Sequence, residues 1–163
     1  MSSSAKGRLV LAALEAFGEG GYEEVHVGAL AAAAETTTGP LYHHFGSKLG
    51  LYSFVRADIE QRVVDRIEGA LAAGLHFESD DRVAALLVAF DYAVRAGFAR
   101  MLSEPHPSSG VSDPIASALG EGPLGAILAA AWRAALGAGD PESAREALRS
   151  LSVSRQVISN RVR

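Results

Sequence analysis

A chain of 163 residues, 48% apolar and 21% charged, can bury a sizeable core but is too short for a large multidomain enzyme. It holds no cysteine, which excludes a disulfide framework, a thiolate zinc site and a cysteine nucleophile together. Its net charge of −4 does not advertise a nucleic-acid partner: up to Arg56 there are four Lys or Arg (Lys6, Arg8, Lys48, Arg56) against five Glu.

In residues 5–18, Val10, Ala13, Leu14 and Phe17 form the stripe of an amphipathic helix, which Gly20-Gly21 should stop. This apolar beginning is interrupted by Glu15 and has no clear signal-peptide cleavage site, and no stretch reaches the ~18 apolar residues of a membrane span. A cytoplasmic setting without a membrane partner is therefore expected. Val27, Leu30, Ala31 and Ala34 predict a second, short helix; a third begins near Thr37 and carries Leu41 and Phe45.

From Lys48 to Ala73 the spacing of Leu51, Phe54, Val55, Ile59, Val63, Ile67 and Leu71 predicts one long helix, with Ser47 as N-cap and Gly74 as stop. Asp80 or Asp81 should cap the next, whose apolar positions run without interruption from Val83 through Phe90, Val94 and Phe98 to Met101 and Leu102. Residues 104–114, with three prolines and a glycine, read as a loop. Asp113-Pro114 should open a short helix ending at Gly120; another spans Pro123 to Leu136, and Asp140-Pro141 opens the last, with a frayed tail after about residue 153. No stretch alternates with period two, so the expected fold is all-α: a three-helix N-terminal unit over 1–47 followed by a helical bundle over 48–163.

A helix-turn-helix DNA reader needs a supporting helix, a tight turn, and a second helix whose first residues are small enough to approach base edges. Residues 26–45 supply this pattern. Thr37, Thr38, Gly39 and Pro40 offer hydroxyls and methyls, room for close approach, and a proline where a missing N–H costs little; Thr37 or Thr38 can also cap the helix. Tyr42, His43 and His44 can donate to phosphate oxygens, with Lys48 adding a charge at the start of the following helix, while Leu41 and Phe45 anchor the motif.

Phe17, Gly21-Tyr22, the Val27/Leu30/Ala31 helix and the run Thr38-Gly39-Pro40-Leu41-Tyr42-His43-His44-Phe45-Gly46-Ser47-Lys48 resemble the N-terminal domain of TetR-family transcriptional regulators over roughly residues 8–55. The resemblance implies base reading by Thr37, Thr38, Gly39 and Pro40, and phosphate contacts by Tyr42, His43, His44 and Lys48. Three positions depart from the family's habits: His26 stands for a hydroxyl cap, Glu35 for the turn glycine, and Thr36 for an apolar residue. Glu35 is expected in a left-handed conformation that costs a non-glycine residue ~1–2 kcal/mol.

The resemblance further implies a ligand-responsive repressor that binds a palindromic double-stranded DNA operator as a homodimer. Small residues around Leu124, Ile127, Leu128, Leu148 and Leu151 suit a helix-pair dimer interface. Phe90, Asp91, Val94, Phe98, Met101 and Trp132 are candidates to line a pocket for a small apolar or amphipathic ligand, with ordinary core packing as the competing reading. Asp91 and Arg95, at i and i+4, suit a surface ion pair. A transcriptional activator and a helical interaction module without selective DNA binding are the alternatives.

No cofactor, metal or catalytic residue is expected. His43 and His44 are adjacent and lack ligand spacing; Gly120 to Gly125 matches a dinucleotide glycine pattern without a preceding strand; and Ser3 to Lys6 matches a nucleophile motif without its partners. No acid, base and nucleophile set converges in the sequence, so an enzyme is not expected.

Overall fold

The computed structural model describes residues 4–73, 81–108 and 110–151. The stop at Gly74, the alternative cap Asp80, the tail after residue 153 and Ser3 lie outside them. The described residues form nine helices and no strand: α1 (Ala5–Glu24), α2 (Val27–Ala33), α3 (Thr38–Phe45), α4 (Lys48–Ala73), α5 (Asp81–Arg95), α6 (Ala99–Ser103), α7 (Pro114–Leu119), α8 (Gly122–Leu136) and α9 (Pro141–Arg149). None is long and apolar enough to cross a membrane.

Local signals placed most boundaries. Ser47 Oγ accepts from Gly50 N–H at 2.9 Å and caps α4. Asp113 accepts from the Ile115 and Ala116 N–H groups ahead of α7, and Asp140 from Glu142 N–H ahead of α9, each followed by proline in the first turn. Two boundaries differ from expectation. α1 continues past Gly20 because Gly21 interrupts it (φ 68°) without ending it, and one more turn follows to Glu24.

The long helix expected from Val83 to Leu102 is two helices. Gly97 takes φ 77°, and Phe98 N–H reaches back to Ala93 O at 2.9 Å, closing α5 before α6 begins. The break has a packing consequence: a Cβ on Gly18 would stand 2.8 Å from Gly97 O, so α1 and this turn meet backbone to backbone.

α4 joins the two halves. Toward its start it packs on α1 and α3, and further along on α5, α6 and α7, with Leu51, Val55, Ile59, Val63 and Ile67 buried in one continuous core. A buried polar cluster fixes it there. Arg56, 2% exposed, donates to Glu60 Oε1 (2.9 Å), Tyr52 Oη (2.8 Å) and the carbonyls of Met101 (3.1 Å) and Glu104 (2.9 Å). Burial opposes the charge on Arg56, and the Tyr52 hydroxyl and Glu60 carboxylate overcome it. Arg133 from α8 donates to Asp113 (2.9 Å) and Leu102 O (2.7 Å), so two cations and two carboxylates balance where α4, α6 and α8 meet.

Candidate nucleic-acid interface

α2 buries Leu30 and Ala31, and Leu30 joins a core with Leu9, Phe17, Leu41 and Leu51. It ends in a left-handed turn: Glu35 N–H bonds Ala32 O at 3.0 Å and Thr36 N–H bonds Ala31 O at 2.9 Å, which requires the observed φ of 49° at Glu35. Glu35 therefore stands in a conformation that glycine adopts without strain. His26 occupies the N-cap of α2 and makes no side-chain cap bond.

α3 presents most of its surface outward. Leu41 is fully buried and Phe45 half-buried against Phe54 (5.5 Å), whereas Thr37, Thr38, Gly39, Tyr42, His43 and His44 are exposed and Pro40 is half-buried. Thr37 holds the N-cap position, but neither it nor Thr38 closes a side-chain cap there, contrary to the capping role expected of them. Their hydroxyls and the first N–H groups of α3 thus face the same open surface. At the other end Gly46 turns the chain at φ 75°, and a Cβ on Gly50 would lie 1.9 Å from Phe45 O, which sets the close approach of α4 to α3.

Three side chains lock this unit. Arg8 Nε donates to Ala34 O at 2.8 Å, tying α1 to the turn after α2. Lys48 Nζ donates to Tyr22 O (2.9 Å) and Val25 O (3.2 Å) and lies 4.2 Å from the Tyr22 ring centre. Tyr52 meets both Phe17 and Tyr22 edge-on at 5.0 Å. Lys48 accordingly differs from its expected place as a phosphate grip: two of its three N–H donors satisfy carbonyls at the end of α1. The roles of Arg8 and Tyr52 have no local signal in the sequence, since Arg8's acceptor lies 26 residues on.

Residues 9–53 match the family model described as bacterial regulatory proteins, tetR family. The N-terminal domain is of the tetR family. It is thus the DNA-binding domain of a transcription regulator. A putative tetR family transcription regulator from Shewanella sp. PV-4 shares 21% identity and superimposes with a TM-score of 0.63 over 90% of this chain and 95% of that one. A TetR-family transcriptional regulator from Pectobacterium atrosepticum, also 21% identical, gives 0.62 over 88% and 87%. At that identity the likeness is one of fold, and it extends beyond the tetR domain through the helical bundle. Among the curated proteins compared with it, none matches the chain.

Behind the tetR domain, the six expected pocket residues divide, among the described residues, between two clefts and the core. Phe90 and Val94 border a cleft of about 360 Å³ together with Ala99, Arg100, Leu136 and Pro141; with Asp91 they also border a second of about 260 Å³ beside Arg145. Met101 and Trp132 are 0% exposed core residues that line neither, and Phe98 packs on Tyr92 at 6.4 Å. The Trp132 indole N–H finds no acceptor among the described residues.

Asp91 pairs with Arg145 of α9 at 2.8 Å, not with Arg95, which donates to the Asp91 carbonyl instead. The Arg145 hydrogen bond holds the Asp91 carboxyl below its ordinary range. Of the expected interface residues, Leu128 and Leu148 are 4% and 2% exposed inside the chain's own core, Leu124 and Leu151 are partly buried there, and Ile127 is 63% exposed. The apolar character of α8 on every side hid which of its faces turns inward.

Proposed function

We propose that this protein is a ligand-responsive repressor that binds a palindromic operator as a homodimer, reading bases with Thr37, Thr38, Gly39 and Pro40 and holding phosphates with Tyr42, His43 and His44. The observation that carries the reading is α3 itself: a short helix fixed by one fully buried side chain, with its polar and small residues all outward on a tetR domain. One such helix covers too little DNA for tight selective binding, and a dimer that places two of them ~34–36 Å apart supplies the rest.

The outer face of α8 supports the dimer. Its one charged side chain, Arg133, turns inward to Asp113, while Pro123, Ala126, Ile127, Ala130 and Ala134 are exposed. A helix that hides its cation and shows its apolar side is built to be covered, and a second copy of the same face can approach closely over alanines. The proposed units are 1–47 for DNA and 48–163 for dimerisation and ligand, in the cytoplasm.

The 360 Å³ cleft supports the ligand response, because Arg100 on its border also reaches α1 through Glu19 O (2.9 Å) and the Glu24 carboxylate (2.9 Å). A small apolar or amphipathic ligand that displaces Arg100 would loosen α6 from the tetR domain, and a coupling of ~1–3 kcal/mol changes DNA affinity ~5–150-fold. The repressing sense is supported by family resemblance.

Salt titrations on the DNA upstream of the protein's own gene test the reading. Tyr42→Ala should weaken binding to every duplex at each salt concentration, whereas Thr38→Ala should change preference at particular base pairs. Equal effects of the two, or no selective shift at low salt, would favour an interaction module instead.

A further inference from the structure

We infer that the charge with which this domain neutralises DNA phosphates is carried largely by imidazoles, so that its affinity for duplex DNA rises as His43 and His44 become protonated. The inference rests on the DNA-binding reading above.

Each of the four Lys and Arg residues up to Arg56 has an internal task. Arg56 is 2% exposed in the α4 cluster. Lys48 is held by two carbonyls, and Arg8 by Ala34 O at 2.8 Å. Lys6 is exposed, but its ammonium stands over the rings of Phe54 (5.1 Å) and Phe45 (5.9 Å). Against these stand five glutamates, with Glu35 exposed in the turn that leads into α3. With imidazoles neutral this segment carries a net −1; with His26, His43 and His44 charged it carries +2.

Those three histidines are exposed, and His43 and His44 stand beside Tyr42 on α3, their ring centres 5.0 Å apart. The elements packed on α3 are α1, α2 and α4. α1 carries Lys6, Arg8, Glu15, Glu19, Tyr22, Glu23 and Glu24, α2 has His26 and Glu35 at its two ends, and α4 as far as Asp58 carries Lys48, Tyr52, Arg56 and Asp58. Two neighbouring imidazoles repel when both are charged, and a phosphate oxygen placed between them relieves that repulsion. DNA must then favour their protonated forms, and by reciprocity protonation favours DNA. Histidine is the side-chain type that changes charge in the physiological pH range, so the linkage falls where few other groups do so.

The test is fluorescence anisotropy with a fluorescein-labelled, mixed-sequence duplex of about 30 base pairs, because phosphate contacts need no operator. Binding is measured at pH 8.0 and 6.0 and constant ionic strength, both above the sequence pI of about 5.7. For each imidazole whose protonation DNA favours, affinity should be severalfold higher at pH 6.0, up to about tenfold. The salt slope should steepen by roughly 1–2 per domain. In His43→Gln/His44→Gln the pH 6.0 to pH 8.0 affinity ratio should fall toward one, and in each single variant to an intermediate value, with circular dichroism confirming the fold. Wild-type binding that is independent of pH, or a pH gain that survives in the double variant, overturns the inference while leaving the DNA-binding reading standing. Failure to bind any duplex at either pH overturns both.

Discussion

Replacing Glu35 separates strain from charge at one residue of the DNA-binding domain. Its φ of 49° is fixed by the two hydrogen bonds that close α2, so the left-handed conformation cannot be relaxed without losing them. Glu35→Gly removes ~1–2 kcal/mol of strain, offset by roughly 0.5–1 kcal/mol of added chain freedom in the unfolded state. The net is a stabilisation of about 0.5–1 kcal/mol, or a Tm rise of roughly 1–4 °C for a chain of this size. Glu35→Gln keeps the strain and removes only the charge, so its Tm should stay at the wild-type value. A carboxylate about 10 Å from a phosphate in high dielectric costs about 0.4 kcal/mol, so both variants should bind duplex DNA about twofold tighter per domain at low salt. Thermal unfolding and anisotropy on the three proteins decide the matter. A Gln variant as stabilised as the Gly variant, or a Gly variant less stable than wild type, would refute the strain argument.

Lys48→Met keeps the stem of the side chain and deletes its two charged hydrogen bonds to Tyr22 and Val25; unfolding in urea should show a loss of about 2–3 kcal/mol, and an unchanged midpoint would return Lys48 to a purely DNA-facing role. Gly125→Ala would put a Cβ 2.2 Å from both Ala116 O and Gly120 O, so α7 and α8 must separate at a cost of at least roughly 1–3 kcal/mol, whereas Gly28→Ala meets nothing within 4 Å and should stabilise by up to about 1 kcal/mol. The Asp91 carboxyl is held below its ordinary value by Arg145, so it contributes stability above the unfolded carboxylate pKa of ~3.9 and loses it as pH falls through the lower folded value. Asp91→Asn should therefore cost stability at pH 7 and progressively less below about pH 4 in denaturant titrations; a penalty that is equal at both ends would assign the effect to packing.

What could be read in the sequence was local. The Asp-Pro starts of α7 and α9, the Ser47 cap and the apolar spacing of α4 each depend on residues within a turn or two, and the structure places those boundaries where the spacing does. The run from Gly39 to Lys48 was legible for the same reason. The break at Gly97 was not, because Val94, Phe98, Met101 and Leu102 keep helical spacing across it and its packing partner, Gly18, lies in another helix.

Ion pairing shows the same limit. Asp91 has Arg95 at i+4, yet α9 brings Arg145 from 54 residues away with better geometry. Lys48 looks like a phosphate ligand in the sequence because its carbonyl acceptors, 26 and 23 residues earlier, leave no trace there. In α8, where almost every residue is apolar, periodicity could not say that Leu128 points in and Ile127 out.

Selection from a random pool of DNA duplexes tests most directly whether α3 reads base sequence. The full chain should enrich an inverted repeat whose half-sites lie about one helical turn apart, and Thr38→Ala should enrich a repeat altered at the same position in both half-sites. A pool that stays random after repeated rounds at low salt, with a folded protein confirmed by circular dichroism, would contradict it.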